Sequence, residues 1–168
     1  AIKCIRLLIQ KGASILCFNK IDFGKEDLLV TSLKTNNIEV IKEIIRSYDE
    51  HPLSSIHVSK NIGYYIPYLM KGNFDVLKFF IRSFGITSLK GYERIFCRFA
   101  KKDHYAYFFE INLCLDIQEC LKYSILFQRN NCFLFLLKYL KYDEQVNYVY
   151  SGPSSSKTTL LALCAMKP

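Results

Sequence analysis

The chain has 168 residues, 51% of them hydrophobic and 23% charged, which excludes a disordered chain and allows a core able to fold alone. Seven glycines and four prolines exclude collagen-like and linker-dominated sequences. The formal net charge is +8 with a pI near 9.1; gathered on one face this favours nucleic acid, an anionic membrane or an acidic protein, and spread out it is a solvated surface.

In chain order, Ile2, Ile5, Leu8 and Ile9 form an apolar stripe at helical spacing that ends at Gly12-Ala13. The opening ten residues lack the basic flank, apolar stretch and small-residue cleavage site of a signal peptide. A second stripe, Ile38, Ile41, Ile44 and Ile45, is opened by Asn36-Asn37. A third, Phe74, Leu77, Phe80 and Ile81, is opened by Gly72-Asn73 and closed by Gly85. A turn is predicted near Asp103. The run from Phe133 to Leu140 is interrupted by Lys138 and preceded by Arg129, Asn130 and Asn131. No uncharged apolar run reaches the roughly 18 residues of a membrane span. Period-2 alternation is confined to stretches such as Val146 to Tyr150, a candidate strand. The prediction is a mostly helical chain.

The residues that could carry chemistry are few. The seven cysteines stand at 4, 17, 97, 114, 120, 132 and 164. Their odd count, the lack of a C-x-x-C pair, and the absence of any pattern with His51, His57 or His104 argue for free thiols in a reducing compartment over a metal site. Gly152-Pro-Ser-Ser-Ser-Lys157-Thr158-Thr159 invites comparison with a phosphate loop, but the spacing is one residue short and Ser156 replaces the second glycine. A hairpin loop accounts for these residues better. Asp49-Glu50-His51 reads as solvated charge. Cys97 and His104, seven apart, read as structural residues and not as a nucleophile with its base. No catalytic residue, metal or cofactor is expected.

The stripes repeat. Ile2 to Ile9 aligns with Ile38 to Ile45 and with Phe74 to Ile81, and weaker copies begin at Tyr105 and Cys132. The intervals are 36, 36, 31 and 27 residues, a mean of 32.5. Period and residues together resemble the ankyrin-repeat family. Ala1-Ile-Lys-Cys-Ile-Arg-Leu-Leu-Ile-Gln-Lys-Gly-Ala-Ser14 looks like the second helix of that repeat with its Gly-Ala ending, and Thr159-Leu-Leu-Ala-Leu-Cys-Ala165 is similar to the opening of the first. The family's usual threonine is replaced by Asp27, Gly63, Arg94 and Leu121. Tyr68, Phe99 and Leu126 fill a usually small position, and Pro67 falls within a first helix.

The resemblance implies an all-α, ankyrin-like solenoid of stacked helix pairs joined by long or hairpin loops. The expected array covers the whole chain: a partial repeat over 1–26, repeats over about 27–62, 63–93, 94–120 and 121–157, and a partial repeat over 158–168. Because it begins inside one repeat and ends inside another, the array is expected to be a piece of a longer one. The Phe-, Tyr-, Lys-, Asn- and Ile-rich composition looks like ankyrin arrays of intracellular pathogens and large DNA viruses, which would imply a host protein as partner and the host cytosol as a setting.

In resembling proteins, partners bind a concave face built from hairpin tips and the exposed end of each first helix. In the aligned register that end falls at Lys34-Thr35, Met70-Lys71, Lys101-Lys102, Gln128-Arg129 and Met166-Lys167. Every pair carries a base and none an acid. Lys34, Lys71, Lys101, Lys102, Arg129 and Lys167 are therefore the expected partner-binding ladder. Tyr92, Tyr148 and Tyr150 are expected to be anchors beside it or packing residues beneath long loops. Cations are also favoured at helix C-termini without any partner. The expected function is a protein-interaction module with a basic groove for an acidic or mixed protein surface and no chemical step. The alternatives are non-sequence-specific nucleic-acid binding through the same ladder and a targeting or regulatory segment of a larger enzyme.

Overall fold

A computed structural model describes residues 2–11, 28–49, 58–139, 149–151, 157–159 and 165. These are mostly helical, with one short hairpin. The helices are α1 (Ile2–Gln10), α2 (Leu28–Thr35), α3 (Ile38–Asp49), α4 (Ile62–Lys71), α5 (Phe74–Ser83), α6 (Glu93–Cys97), α7 (Lys102–Glu110), α8 (Ile117–Leu126) and α9 (Asn130–Leu137). The strands are β1 (Val149–Ser151) and β2 (Lys157–Thr159). The chain divides into two compact units, Ala1–Thr87 and Ser88–Pro168.

In the first unit α2 pairs with α3 and α4 with α5. Like then packs on like: α2 on α4, and α1 and α5 on either side of α3. The apolar stripes dictate this. Ile41, Ile44 and Ile45 of α3 and Leu77, Phe80 and Ile81 of α5 are buried at matching positions, because each helix has a single apolar face to remove from water. Asn37 caps α3 through an Oδ1 that accepts from the backbone N–H groups of Glu39 and Val40, both at 3.2 Å. Asn73 does the same for α5, accepting from Asp75 at 2.8 Å. The two turns are tied directly, since Asn36 Oδ1 accepts from the Asn73 N–H at 3.1 Å. Pro67 does lie inside α4. It removes one helical donor, yet the helix runs on because Ile62, Tyr65, Ile66 and Leu69 on its inner face are buried. Arg6 of α1 clamps Glu43 of α3 with both oxygens engaged, at 2.7 and 2.8 Å. The pair lowers the pKa of Glu43 and raises that of Arg6, in each case first through their shared hydrogen bonds.

In the second unit α6 packs on α8, α7 on α9, and α8 pairs with α9. Phe96, Tyr105 and Phe108 form its aromatic centre, meeting edge-on with ring centroids 6.1, 6.1 and 6.5 Å apart. Glu93 is buried, although it is an acid, at the helical position that Leu29, Tyr65 and Leu121 hold elsewhere. Its Oε2 accepts from the Gly91 N–H at 2.8 Å and its Oε1 from the Asp116 N–H at 3.2 Å. A buried carboxylate is tolerated when backbone donors satisfy it, and here they join the loop before α6 to the loop before α8. The Leu89 N–H bond to the Cys114 carbonyl, 3.0 Å, reinforces that seam.

Two expectations of register are corrected. The second helices begin at Ile38, Phe74, Lys102 and Asn130, at intervals of 36, 28 and 28. The copies expected from Tyr105 and Cys132 thus start three and two residues early, because Lys102-Asp103-His104 and Asn130-Asn131 give those helices polar first turns. Asp103, expected near a turn, lies inside α7. Counted back six residues from the observed starts of α3, α5, α7 and α9, Ser32 corresponds to Tyr68, Phe96 and Ser124. Ser32 and Ser124 are buried, each donating to a carbonyl of its own helix at 2.7 Å.

The candidate strand near Val146 to Tyr150 is present as β1. It pairs antiparallel with β2 in the register Val149 to Thr159, Tyr150 to Thr158 and Ser151 to Lys157. Lys157 and Thr158 therefore lie in a strand. A phosphate loop would need them at the start of a helix, where backbone N–H groups converge.

Candidate interaction groove

The N-terminal turns of α7 and α9 lie beside each other in the second unit and border an open groove of about 820 Å³. Lys101 is the residue before α7 and Arg129 the residue before α9. Neither side chain accepts a helical N–H, so the usual capping chemistry is replaced. At α7 the Lys101 N–H donates instead to Nδ1 of His104 at 2.9 Å. This acceptor role places the neutral imidazole's proton on Nε2. His104 is buried, and its pKa is pushed down to about 4, first by that burial and then by Lys101, with Asp103 opposing.

Among the described residues, Lys101, Lys102, Arg129 and Lys138 bring four cations to the groove, and Asp103 brings one carboxylate. Arg129 keeps one guanidinium nitrogen on the Arg98 carbonyl, which fixes the side chain across the interhelical turn. The Lys102 ammonium lies 5.8 Å from the centroid of the Phe135 ring. The floor is tied together by Cys132, whose thiol donates to the Ala100 carbonyl at 3.4 Å. Burial raises the pKa of that thiol while Arg129 works in the opposite direction. Along one side of α9, Asn131, Leu134, Phe135 and Lys138 line the groove, Leu134 and Phe135 standing three and four residues after Asn131 and Lys138 four and three after them, the spacing of a single helix face. Leu134 is 59% exposed.

Of the expected ladder, Lys101, Lys102 and Arg129 come together here. They do so by opening second helices: Lys101 and Lys102 start α7 and do not close α6, while Arg129 precedes α9. Lys34 and Lys71 do stand in the last turns of α2 and α4, in the first unit. The Lys34 ammonium lies 5.7 Å from the Tyr68 ring centroid. Tyr92 immediately precedes α6, half-buried, and does not line the groove. Tyr150 belongs to β1. Tyr148 and Lys167 lie outside the described residues.

Lys138, Leu134 and Phe135 line the groove and were not anticipated. The signal was present, because Asn130–Leu137 reads Asn-Asn-Cys-Phe-Leu-Phe-Leu-Leu. A helix apolar nearly all round must leave apolar side chains on its outer face unless something covers it.

The other two buried thiols, of Cys97 and Cys120, lie elsewhere in this unit. The Tyr105 hydroxyl donates to Cys97 Sγ at 3.0 Å. Burial raises the pKa of the Tyr105 hydroxyl and of the Cys120 thiol. Among the described residues no group of three or more His, Cys, Asp or Glu could hold a metal ion. No described helix is long and apolar enough to cross a membrane. No protein-family model matches the chain, and no curated protein or solved structure does either.

Proposed function

We propose that this chain is a divergent ankyrin-like array serving as a protein-interaction module, with the groove of the second unit receiving an acidic surface of a protein partner. The observation that carries the reading is the charge of the groove, four cations against one carboxylate among the described residues that line an open concavity of about 820 Å³. Support for the array comes from the like-on-like packing of α2 with α4 and of α3 with α5, and of α6 with α8 and of α7 with α9. Such an arrangement lets one helix pair cover the apolar stripe of the next. Recognition proceeds by shape and electrostatic steering, with no chemical step. The free thiols and the odd cysteine count support a reducing compartment such as the cytosol.

The test is affinity capture on the immobilised protein with nuclease present, at low and high salt. The expected result is a specific protein, retained after nuclease treatment and released as salt screens the charges. Triple charge reversal, K101E/K102E/R129E, should weaken its binding by about tenfold or more, while K34E/K71E should leave it within about twofold. Recovery of nucleic acid alone, lost on nuclease treatment, would replace this reading with nucleic-acid binding. An unchanged affinity in the triple variant would remove the groove from either function.

A further inference from the structure

We infer that the groove selects an extended acidic peptide segment with an aliphatic side chain between its carboxylates, and that Leu134 is the residue that reads this anchor. The inference rests on the proposed protein-binding role and names the chemistry of the partner.

Cations line the groove along its length. Lys101 and Arg129 precede α7 and α9, the Lys102 ammonium lies 5.8 Å from the Phe135 ring, and Lys138 follows the last residue of α9. Arg129 and Lys138 are nine residues apart, which along a helix axis is about 13 Å. An extended peptide covers that distance in about four residues. Leu134 lies between them, on the face that also carries Lys138. A segment with carboxylates four apart and an apolar residue midway would thus place a charge at each end and its side chain on Leu134. A polyanion without an apolar residue would leave that leucine in water.

The neighbouring aromatics favour an aliphatic anchor over a nucleobase. Phe109 stacks on Tyr139 with centroids 4.1 Å apart, Phe135 meets Tyr139 at 5.3 Å, and Lys102 lies over Phe135 at 5.8 Å. These ring faces are engaged with one another and with a cation, whereas single-stranded nucleic acid needs open faces for its bases. The exposed leucine needs no ring face to bury an aliphatic group.

Fluorescence anisotropy on the full chain tests this with three labelled probes. The first is a peptide of pattern acid-acid-x-leucine-x-acid, the second has serine in place of leucine at equal charge, and the third is an oligothymidylate of the same charge. The leucine peptide should bind at least about fivefold tighter than the serine peptide. Leu134→Ala, a substitution at an exposed site by a strong helix former, should abolish that difference and leave the serine peptide's affinity unchanged. Equal binding of both peptides would overturn the apolar anchor and leave the acidic-partner reading standing. Binding of neither peptide, or tighter binding of the oligonucleotide, would overturn both. Retention of the leucine preference in Leu134→Ala, with unchanged circular dichroism, would remove Leu134 from the role.

Discussion

A histidine that accepts a backbone hydrogen bond at a helix start is an acid-labile cap. His104 takes the Lys101 N–H on Nδ1, and a proton on that nitrogen would turn the acceptor into a second donor. Its pKa is about 4 in the folded chain against an ordinary value of 6.5, with burial the first cause. Between those values the unfolded chain holds a proton that the folded chain does not, so stability falls as pH falls. The contribution is complete above pH 6.5 and is lost progressively down to about 4. Urea midpoints measured at steps between pH 7.5 and 4 should therefore drop more steeply for the native sequence than for His104→Asn. Parallel curves for the two proteins would show that His104 does not supply the slope. Glu93 makes a complementary point about what a residue's identity conveys. An acid at a position held elsewhere by Leu29, Tyr65 and Leu121 reads as surface. It is buried because two backbone N–H groups from different loops meet it there.

Helix ends tell which elements could be read and which could not. The starts of α3 and α5 carry Asn37 and Asn73, residues whose side chains accept the orphan N–H groups, so both helices were recognisable to the residue. Helices α7 and α9 begin after Lys101 and Arg129, which cannot act in that way, and their first turns are polar. The apolar pattern therefore became visible only two or three residues late. The C-terminal ends follow one plan under three different residues. After α5, α7 and α8 the chain turns through Gly85, Asn112 and Gln128 at φ 57°, 53° and 56°. The following N–H groups of Ile86, Leu113 and Arg129 close onto Ile81, Phe108 and Ser124 at 3.0, 2.8 and 2.7 Å. Only the first of these has the glycine that marks such an end in a sequence. Gln128→Gly should accordingly stabilise the protein by about 1 kcal/mol, and Gly85→Ala should destabilise it by about 1 kcal/mol. An added Cβ at Gly85 meets nothing within 4 Å, so its cost is one of backbone conformation alone. Denaturant midpoints moving in the same direction for both variants would show that neighbouring contacts, and not the left-handed turn, govern these positions.

For the described residues as a whole, helical character followed from periodicity, because each helix has an apolar stripe to bury. The groove was legible in part. Lys101, Lys102 and Arg129 were visible as a recurring base in an acid-free position, whereas Leu134, Phe135 and Lys138 depend on which side of α9 is left uncovered, a property set by packing. The same packing has a kinetic consequence for the cysteines. Among the described residues Cys97, Cys120 and Cys132 are buried in the second unit, while Cys4 and Cys114 are exposed. Alkylation requires a thiolate that the reagent can reach. Timed labelling at mildly alkaline pH, read by mass spectrometry, should therefore modify Cys4 and Cys114 at once. The three inner thiols should follow together, at the pace of the second unit's opening and faster as urea is added. Inner thiols that react as quickly as Cys114 would mean that this unit is not cooperatively packed. If they lag, the chain carries its own stopwatch for the opening of one unit, with an internal zero-time marker on each of the two.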